Sequence, residues 1–458
     1  MKEREYKEFN YFDHWSRRDF LKKAGAFAGA GMLQPVLSLI GSGKSIAAAY
    51  PDEVLSIEKY TKGRVKVGMV ISKDNSELIK DVAPEGLIVE LQRGAQIKIG
   101  ETTTRADAIE PKFWLDATLR NKGQAVLDKK GQLWHKSGGP WIGGSPFPEP
   151  QTALEAIWNY AFSPRRYDNL IAASKPTHID TNGTVVRQDE AIFMQIQTVG
   201  RLVVDPKPVD PKYKDELHRN LLSVNKPFDS YGLAVTSTVY YDASRLPETD
   251  LYIPTLRRTR RVPSTQRFEP ATPYNVAYTT DFDIQADPVL TWSWTLAGRK
   301  PMLAPSPSNK GARAKGASAQ DFIFPDTNDK FPRATWELRP EMLLIDGVPH
   351  LPGANYSKKR VYLDGIYQRT EIADIWDQAG KLWKFLVFIY GDTGARDQAG
   401  GGPAPDLTGI VFGDLQRDFH SVVHFYDKLG DSVYKVNSPD LTIDDWATPS
   451  AMLRRARR

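Results

Sequence analysis

A dense run of basic side chains inside the chain is Arg257-Arg258-Thr259-Arg260-Arg261, directly after the apolar stretch Leu251-Tyr252-Ile253-Pro254-Thr255-Leu256. A guanidinium presents a planar fork of donors that suits a carboxylate or a phosphate. If the apolar stretch is a strand that continues, alternation places Arg258 and Arg260 on one face and Arg257 and Arg261 on the other. One pair then faces inward and can clamp an anionic head group at the mouth of an apolar cavity lined by Tyr252, Trp292 and Trp294. The competing reading is a solvated edge, or pairing of the arginines with Asp281, Asp283 or Asp287.

Other chemistry is sparse. The seven histidines include one close pair, His420 and His424, inside the strand-like run Phe419–Phe425. On a strand, residues four apart lie more than about 12 Å apart, too far to share a metal. The sequence has no H-E-x-x-H spacing, no G-x-S-x-G elbow, no dinucleotide fingerprint and no haem or iron–sulfur ligand set. Gly138-Gly139-Pro140-Trp141-Ile142-Gly143-Gly144 lacks the spacing and lysine of a phosphate loop and reads as a loop leading into a helix. Asp281, Asp283 and Asp287 read as an acidic turn before the Trp292 strand rather than as paired catalytic carboxylates. The expectation is a protein without catalytic residues, metal or cofactor.

The N-terminus carries a different signal. Ser16-Arg17-Arg18-Asp19-Phe20-Leu21-Lys22 has the full twin-arginine pattern, followed by a short, moderately apolar stretch from Ala24 to Ile40. Ala47-Ala48-Ala49 supplies small residues at −3 and −1, so cleavage is expected after Ala49. This reading makes the twin-arginine translocase a partner and the periplasm the destination. The first 49 residues carry eight Lys/Arg and five Asp/Glu, so only about +2 of the net +5 stays with the remainder. That near balance gives no reason to expect nucleic acid as a partner. The absence of cysteine excludes disulfides, thiolate metal sites, a cysteine nucleophile and a lipid-modified N-terminal cysteine. With the leader removed, the mature form is expected to be soluble.

The elements that must position these residues are mostly strands. Eleven Trp, 19 Tyr and 19 Phe favour β-structure, and Pro and Gly punctuate the chain. Asn182-Gly183 marks a hairpin after Ile179, and 191–199, 232–241, 250–256, 290–296, 360–363, 371–376, 381–390 and 414–427 read as strands. Leu290, Trp292, Trp294 and Leu296 alternate onto one face. Pro148 to Ala161 reads as a helix, Ser76 to Ala83 as a short one, and 210–219 as a short helix or polar loop. Segments 305–319 and 394–405 read as loops. Leu127–Trp134 and Trp376–Trp383 share D-x-x-G-x-L-W, which predicts the same hairpin chemistry twice. The expected organisation is a signal peptide (1–49), a mixed segment packing on the main domain (50–150), the main β domain (151–440) and a C-terminal tail (441–458).

Several motifs in order resemble one bacterial family. Gly143-Gly144-Ser145-Pro146-Phe147-Pro148-Glu149-Pro150 with Leu154-Glu155-Ala156-Ile157-Trp158-Asn159 is similar to its G-G-x-P-F-P-x-P…E-A-x-W-N. Tyr252-Ile253-Pro254 with Arg257 to Pro263 is similar to its Y-x-P-x-x-R-R-x-R-R-x-P. Asp281-Phe282-Asp283, Trp292–Leu296 and Pro301–Pro305 follow its middle run, and Arg360–Asp364, Ala373–Asp377 and Gly380–Trp383 its ending. The family is domain of unknown function 1329, whose members are outer-membrane lipoprotein-sorting-like. Here the family's helix-start glycine is replaced, its W-K-L is Trp294-Thr295-Leu296, and its P-Y-N is absent.

The resemblance implies an α+β, mostly β fold like that of the lipoprotein carriers: a curved, unclosed antiparallel β-barrel covered by helices. It also implies a non-enzymatic periplasmic carrier of a lipid or other hydrophobic small molecule, serving an inner-membrane transporter or an outer-membrane protein. The alternatives are an accessory subunit without a ligand of its own and an enzyme acting on a hydrophobic substrate.

Overall fold

The computed structural model describes residues 50–455 apart from 106–107, 163–165, 271–273, 310–328, 395–403, 427 and 430–431. The twin-arginine motif with Arg17 and Arg18, the cleavage site after Ala49, and most of the two expected loops at 305–319 and 394–405 lie outside the described residues.

Residues 50–150 form α1 (Ile57–Tyr60), β1 (Val70–Ile71), α2 (Glu85–Gln92), β2 (Ile97–Ile99), α3 (Lys112–Arg120) and the hairpin β3 (Ala125–Leu127)/β4 (Leu133–His135). Then come α4 (Ala153–Phe162), β5 (Asn169–Ile179), β6 (Val185–Gln188), β7 (Glu190–Gln197), β8 (Glu216–Lys226), β9 (Ala234–Tyr240), β10 (Glu248–Ile253) and β11 (Arg258–Val262). The second series of strands is β12 (Trp292–Pro305), β13 (Thr335–Pro349), β14 (Tyr356–Asp364), β15 (Thr370–Asp377), β16 (Leu382–Asp392), β17 (Pro405–Asp414) and β18 (Phe419–Tyr426). Short strands β19 (Lys428–Leu429), β20 (Ser432–Val433) and β21 (Lys435–Val436) lead to α5 (Ile443–Trp446) and α6 (Pro449–Arg455).

One 17-stranded sheet holds most of the chain. Neighbours run β12-β13-β14-β15-β16-β17-β18-β5-β7-β8-β9-β10-β11, all antiparallel. Strands β11 and β12 do not pair with each other, so the sheet is curved but unclosed. The curvature follows from the core. One apolar cluster joins Trp292, Leu343 and Phe388 of the first half-sheet to Leu170 and Val239 of the second, with α4 between them. A flat sheet of this width could not bring those residues together. The opposite, convex face is covered in two places: α1, α2 and β2 pack over the first half, and α5 and α6 over the second. The segment expected as a C-terminal tail is packed on the sheet, where Leu441, Ile443, Ala447 and Met452 are buried with Ile171, Met194 and Leu221.

Local chemistry accounts for the boundaries. The expected helix at Pro148 starts only at Ala153, because Thr152 caps it: Glu155 N–H donates to Thr152 Oγ1 (3.2 Å) and Thr152 N–H donates to Glu155 Oε2 (3.3 Å). The shared hairpin chemistry holds, and its D-x-x-G turn closes three hairpins. At Asp128, Asp180 and Asp377 the side chain accepts from two following backbone N–H groups, and Gly131, Gly183 and Gly380 sit at φ 86°, 80° and 76°. The Asn182-Gly183 signal therefore works through Asp180, with only the glycine in the left-handed region. Residues 210–219 differ from expectation: a single 3-10 turn at Pro211–Tyr213 gives way to β8 at Glu216. Ser76–Ile79 is likewise a 3-10 turn.

Candidate functional site

Inward-facing positions can be assigned across the sheet, since residues directly opposite on paired strands share a face. The two halves of the concave face differ in kind. In the half formed by β12–β18, the surface is filled by α4, by Phe268 and by residues 274–292, which cross it as a clasp. Lys359 and Lys384 project from β14 and β16 beneath that clasp. Asp281 takes both: Lys384 Nζ is 3.1 Å and Lys359 Nζ 3.4 Å from its carboxylate, and Tyr356 O–H donates to it at 2.7 Å. The two ammonium groups also donate to the carbonyls of Val276 (2.9 Å) and Ile284 (2.8 Å). Tyr278 stacks on Tyr356 at 5.7 Å, with Trp383 edge-on to both. Burial lowers the Lys384 pKa to about 8 despite Asp281. Asp281, Lys359, Lys384 and Tyr356 are buried, and the network tethers the clasp to the sheet. The acidic turn around Asp281 is therefore structural, as the sequence indicated, but its partners are lysines of the sheet and, for Asp287, Arg267.

The other end of the same half carries a second charge group. Arg339 lies among Glu337, Asp364 and Glu371, and Glu110 takes both Arg166 and Arg369. Burial raises Glu371 to about 7 and Asp364 to about 6. On the convex side Asp374, raised by burial to about 7, caps α2 by accepting from the backbone N–H groups of Glu85 (3.1 Å) and Gly86 (3.0 Å). Among the described residues no group of three or more His, Asp or Glu could hold a metal. His420 Nε2 is hydrogen-bonded to the Glu90 carboxylate at 2.8 Å on the convex side, and His420 and His424 both lie in β18, the strand expected for them.

The half formed by β7–β11 is different. Three rungs cross its concave face. The first is polar: Gln195–Asn220–Ser237–Thr249, with Gln197 and His218 paired beside it. The second is Phe193–Leu222–Val235–Leu251 and ends on Arg260. The third contains Val224, Leu233 and Ile253 and ends on Arg258. Leu222, Leu233, Val235, Leu251 and Ile253 are half-exposed, and among the described residues none of them joins an apolar core. Five strands at sheet spacing make this apolar surface roughly 19 Å wide. The hairpin tips at its end expose Phe228, Tyr231 and Leu256.

The expected site residues are only partly brought together. Arg258 and Arg260 do share a face, the concave one, but β11 is the free edge and both are exposed rather than inward. Arg257 is exposed in the turn before β11, at φ 49°. Arg261 points to the other face, also exposed, and is held by Glu248 and by Asp250 at 3.0 Å, not by Asp281, Asp283 or Asp287. Tyr252 falls on the convex face by alternation and is buried with α5 and α6, so it does not line the concave surface. Trp292 and Trp294 are concave but belong to the filled half: their rings stack at 5.6 Å, and their N–H groups donate to Asp287 (3.1 Å) and the Val289 carbonyl (2.8 Å). The residues missed were those of the rungs, although the alternation through 233–239 and 251–253 carried the signal. A separate cleft of about 480 Å³ lies on the convex side between α2 and residues 329–333, and Asp418 there is taken by Arg93 and Lys330.

No curated protein matches the sequence. Three solved structures are similar at low identity. A domain assigned to outer membrane lipoprotein sorting from Vibrio parahaemolyticus is 13% identical, covering 62% of this chain and 92% of that one at a TM-score of 0.42. A DUF1329 family protein from Desulfovibrio piger is 12% identical with the same coverage and TM-score. A LolA superfamily protein from Nitrosomonas europaea is 11% identical, covering 66% of this chain and 99% of that one at a TM-score of 0.38. The profile described as "Protein of unknown function (DUF1329)" matches residues 70–452, most of the chain, and the protein belongs to that family.

Proposed function

We propose that the protein is a non-enzymatic carrier that binds a lipid or another hydrophobic molecule on the concave face of β7–β11. One observation carries this reading: a row of half-exposed Leu, Val and Ile side chains that no core of the described residues uses, lying beside buried polar groups and ending on the arginines of an edge strand. Burying an apolar body there would contribute roughly 25 cal/mol per Å². Arg258 and Arg260 stand where an anionic group would project from the ligand, and Phe228, Tyr231 and Leu256 offer a contact surface to a transporter or outer-membrane partner. The twin-arginine leader, with Arg17 and Arg18, would deliver the folded protein to the periplasm. No described helix is long and apolar enough to cross a membrane.

The test is direct. Native mass spectrometry with solvent extraction of the purified protein should recover a bound apolar molecule, and an apolar fluorescent probe should compete with it. A protein that neither retains such a molecule nor binds the probe would leave only the accessory-subunit reading. Export is tested by replacing Arg17 and Arg18 with Lys, which should hold the protein in the cytoplasm. Normal accumulation of that double variant in the periplasm would reject the route.

A further inference from the structure

Gln195 is fully buried, and Gln197 and His218 are 3% and 7% exposed. Such groups ordinarily find hydrogen-bond partners. Here Gln195 Nε2, Gln197 Oε1, His218 Nδ1 and the buried Oδ1 of Asn220 have none among the described residues. The one bond within the cluster runs from Gln197 Nε2 to Gln195 Oε1, at 3.4 Å. These four side chains are not scattered. Gln195 is opposite Asn220 and Gln197 is opposite His218, all on the concave face of β7 and β8 and one rung from Phe193 and Leu222.

We infer that this polar rung is the head-group site of the carrier, and that it takes an uncharged group able both to donate and to accept hydrogen bonds: an alcohol or a primary amide at the end of an apolar chain. The inference rests on the carrier reading above and assigns the chemistry of its ligand. The unpaired atoms include a donor on Gln195 and acceptors on Gln197 and Asn220, so a group of one polarity would leave part of the set unmet. No cation lies on the rung to receive a carboxylate or a phosphate. Burial lowers the His218 pKa to about 4, so its ring is neutral at physiological pH. Two arginines close in sequence to the rung are committed elsewhere: Arg219 is on the other face with Glu216, and Arg201 donates to the carbonyls of Val204 and Asp205, while Arg258 and Arg260 stand exposed at the β11 edge. A charged head group would therefore be buried without a counter-charge, which is costly. The rung also has a way in. Asn220 and Ser237 are only half-buried, and the rung continues to Ser237 and Thr249, whose hydroxyls bond at 3.0 Å towards the β11 edge. The apolar rungs alongside would hold the chain.

The experiment uses the purified full chain carrying an apolar naphthylamine probe. Tetradecan-1-ol and tetradecanamide are compared with 1-methoxytetradecane, which keeps the chain but cannot donate. The alcohol and the amide should displace the probe at roughly tenfold lower concentration than the ether. Gln195→Met keeps the side-chain volume and removes the donor, and it should abolish that difference without lowering the melting temperature. Asn220→Leu, at a half-buried position, serves the same purpose if Gln195→Met does not fold. Equal displacement by alcohol and ether in the unmodified protein would overturn the head-group assignment while leaving the carrier reading intact, the rung then being a hydrated part of the interior. Unchanged discrimination in a folded variant would overturn it too. Failure of the chain to bind the probe at all would remove the carrier reading, and the inference with it.

Discussion

The two halves of the concave face use the same sheet to opposite ends. In the half formed by β12–β18 the buried charges are grouped with opposite ones: Asp281 with two lysines under the clasp, and Glu110 with two arginines and Arg339 with three carboxylates at the other end. Between those two ends the strands are apolar and fully covered. Across β7–β11 the pattern inverts, with no charge on the inner rungs, buried amide atoms without partners among the described residues, and apolar side chains left half-exposed. A half-sheet saturated with buried ion pairs is strongly determined in shape, since breaking one partner strands the others. A half-sheet with unmet apolar and polar groups is complementary to something else. On the proposed carrier reading the difference is a division of labour, with one half as frame and the other as receptor.

The sharpest way to break this comparison is to substitute in each half. Asp281→Ala leaves Lys359 and Lys384 buried without their carboxylate and should cost about 3–5 kcal/mol of stability, read from the urea midpoint. Leu251→Asp, in the middle of the open apolar rung, should lower probe affinity more than tenfold, about 2 kcal/mol, while changing the urea midpoint little. If Leu251→Asp destabilised the fold as much as Asp281→Ala, the open rung would be core and the division of labour would fail.

Much of this frame was legible from the residues. The hairpins, the run from Thr370 to Asp392, and the strand placement of Trp292 and Trp294 all follow from alternation and Asp-x-x-Gly turns. The longest strand, Thr335–Pro349, was not. Its inward positions hold Glu337, Arg339 and Glu341, it contains Pro340, and β2 pairs with it in parallel from far away in the chain. Buried charges erase the apolar/polar alternation by which a strand is recognised, because their partners come from other segments. The helices α2 and α3 were missed for a related reason: both start at a proline, and α2 takes its cap from Asp374, 288 residues from Gly86. In the site, the arginine run drew attention through charge, yet the free edge that exposes it is a property of topology alone. The uncharged rung of Gln195, Gln197, His218 and Asn220 has no compositional signal, and only register brings it together.

A smaller effect separates the halves by pH. Glu371 in the filled half has a folded pKa of about 7 because burial disfavours its charge. An unfolded glutamate titrates near 4.3, so between these values the folded state binds more protons. Stability from this group is present at low pH and is lost as pH rises through about 7. Glu371→Gln should flatten the fall in the urea midpoint between pH 5 and 7.5 by about 1–2 kcal/mol. On the open half, where His218 stays neutral throughout that window, probe affinity should not follow the same curve. Parallel pH profiles for stability and binding would mean that the two halves are coupled.

The smallest expected effect belongs to the arginine edge. Arg258 and Arg260 are exposed on a free strand, so a contact from them to an anionic group is a rim interaction, worth about 0.2–1 kcal/mol and screened by salt. The double replacement Arg258→Ala/Arg260→Ala should therefore weaken myristate by no more than about fivefold in low salt and leave a neutral chain of the same length unaffected. Arg261→Ala gives the internal comparison, because that side chain lies on the other face and is already held by Glu248 and Asp250. It should change neither ligand. A loss for myristate that persists in high salt would show that ligand binding closes the edge over the arginines and desolvates them, making β11 part of the receptor. Equal losses for Arg261→Ala and for the double variant would instead mark a general effect of positive charge on association with an anion, and no specific seat at the edge of the apolar rungs.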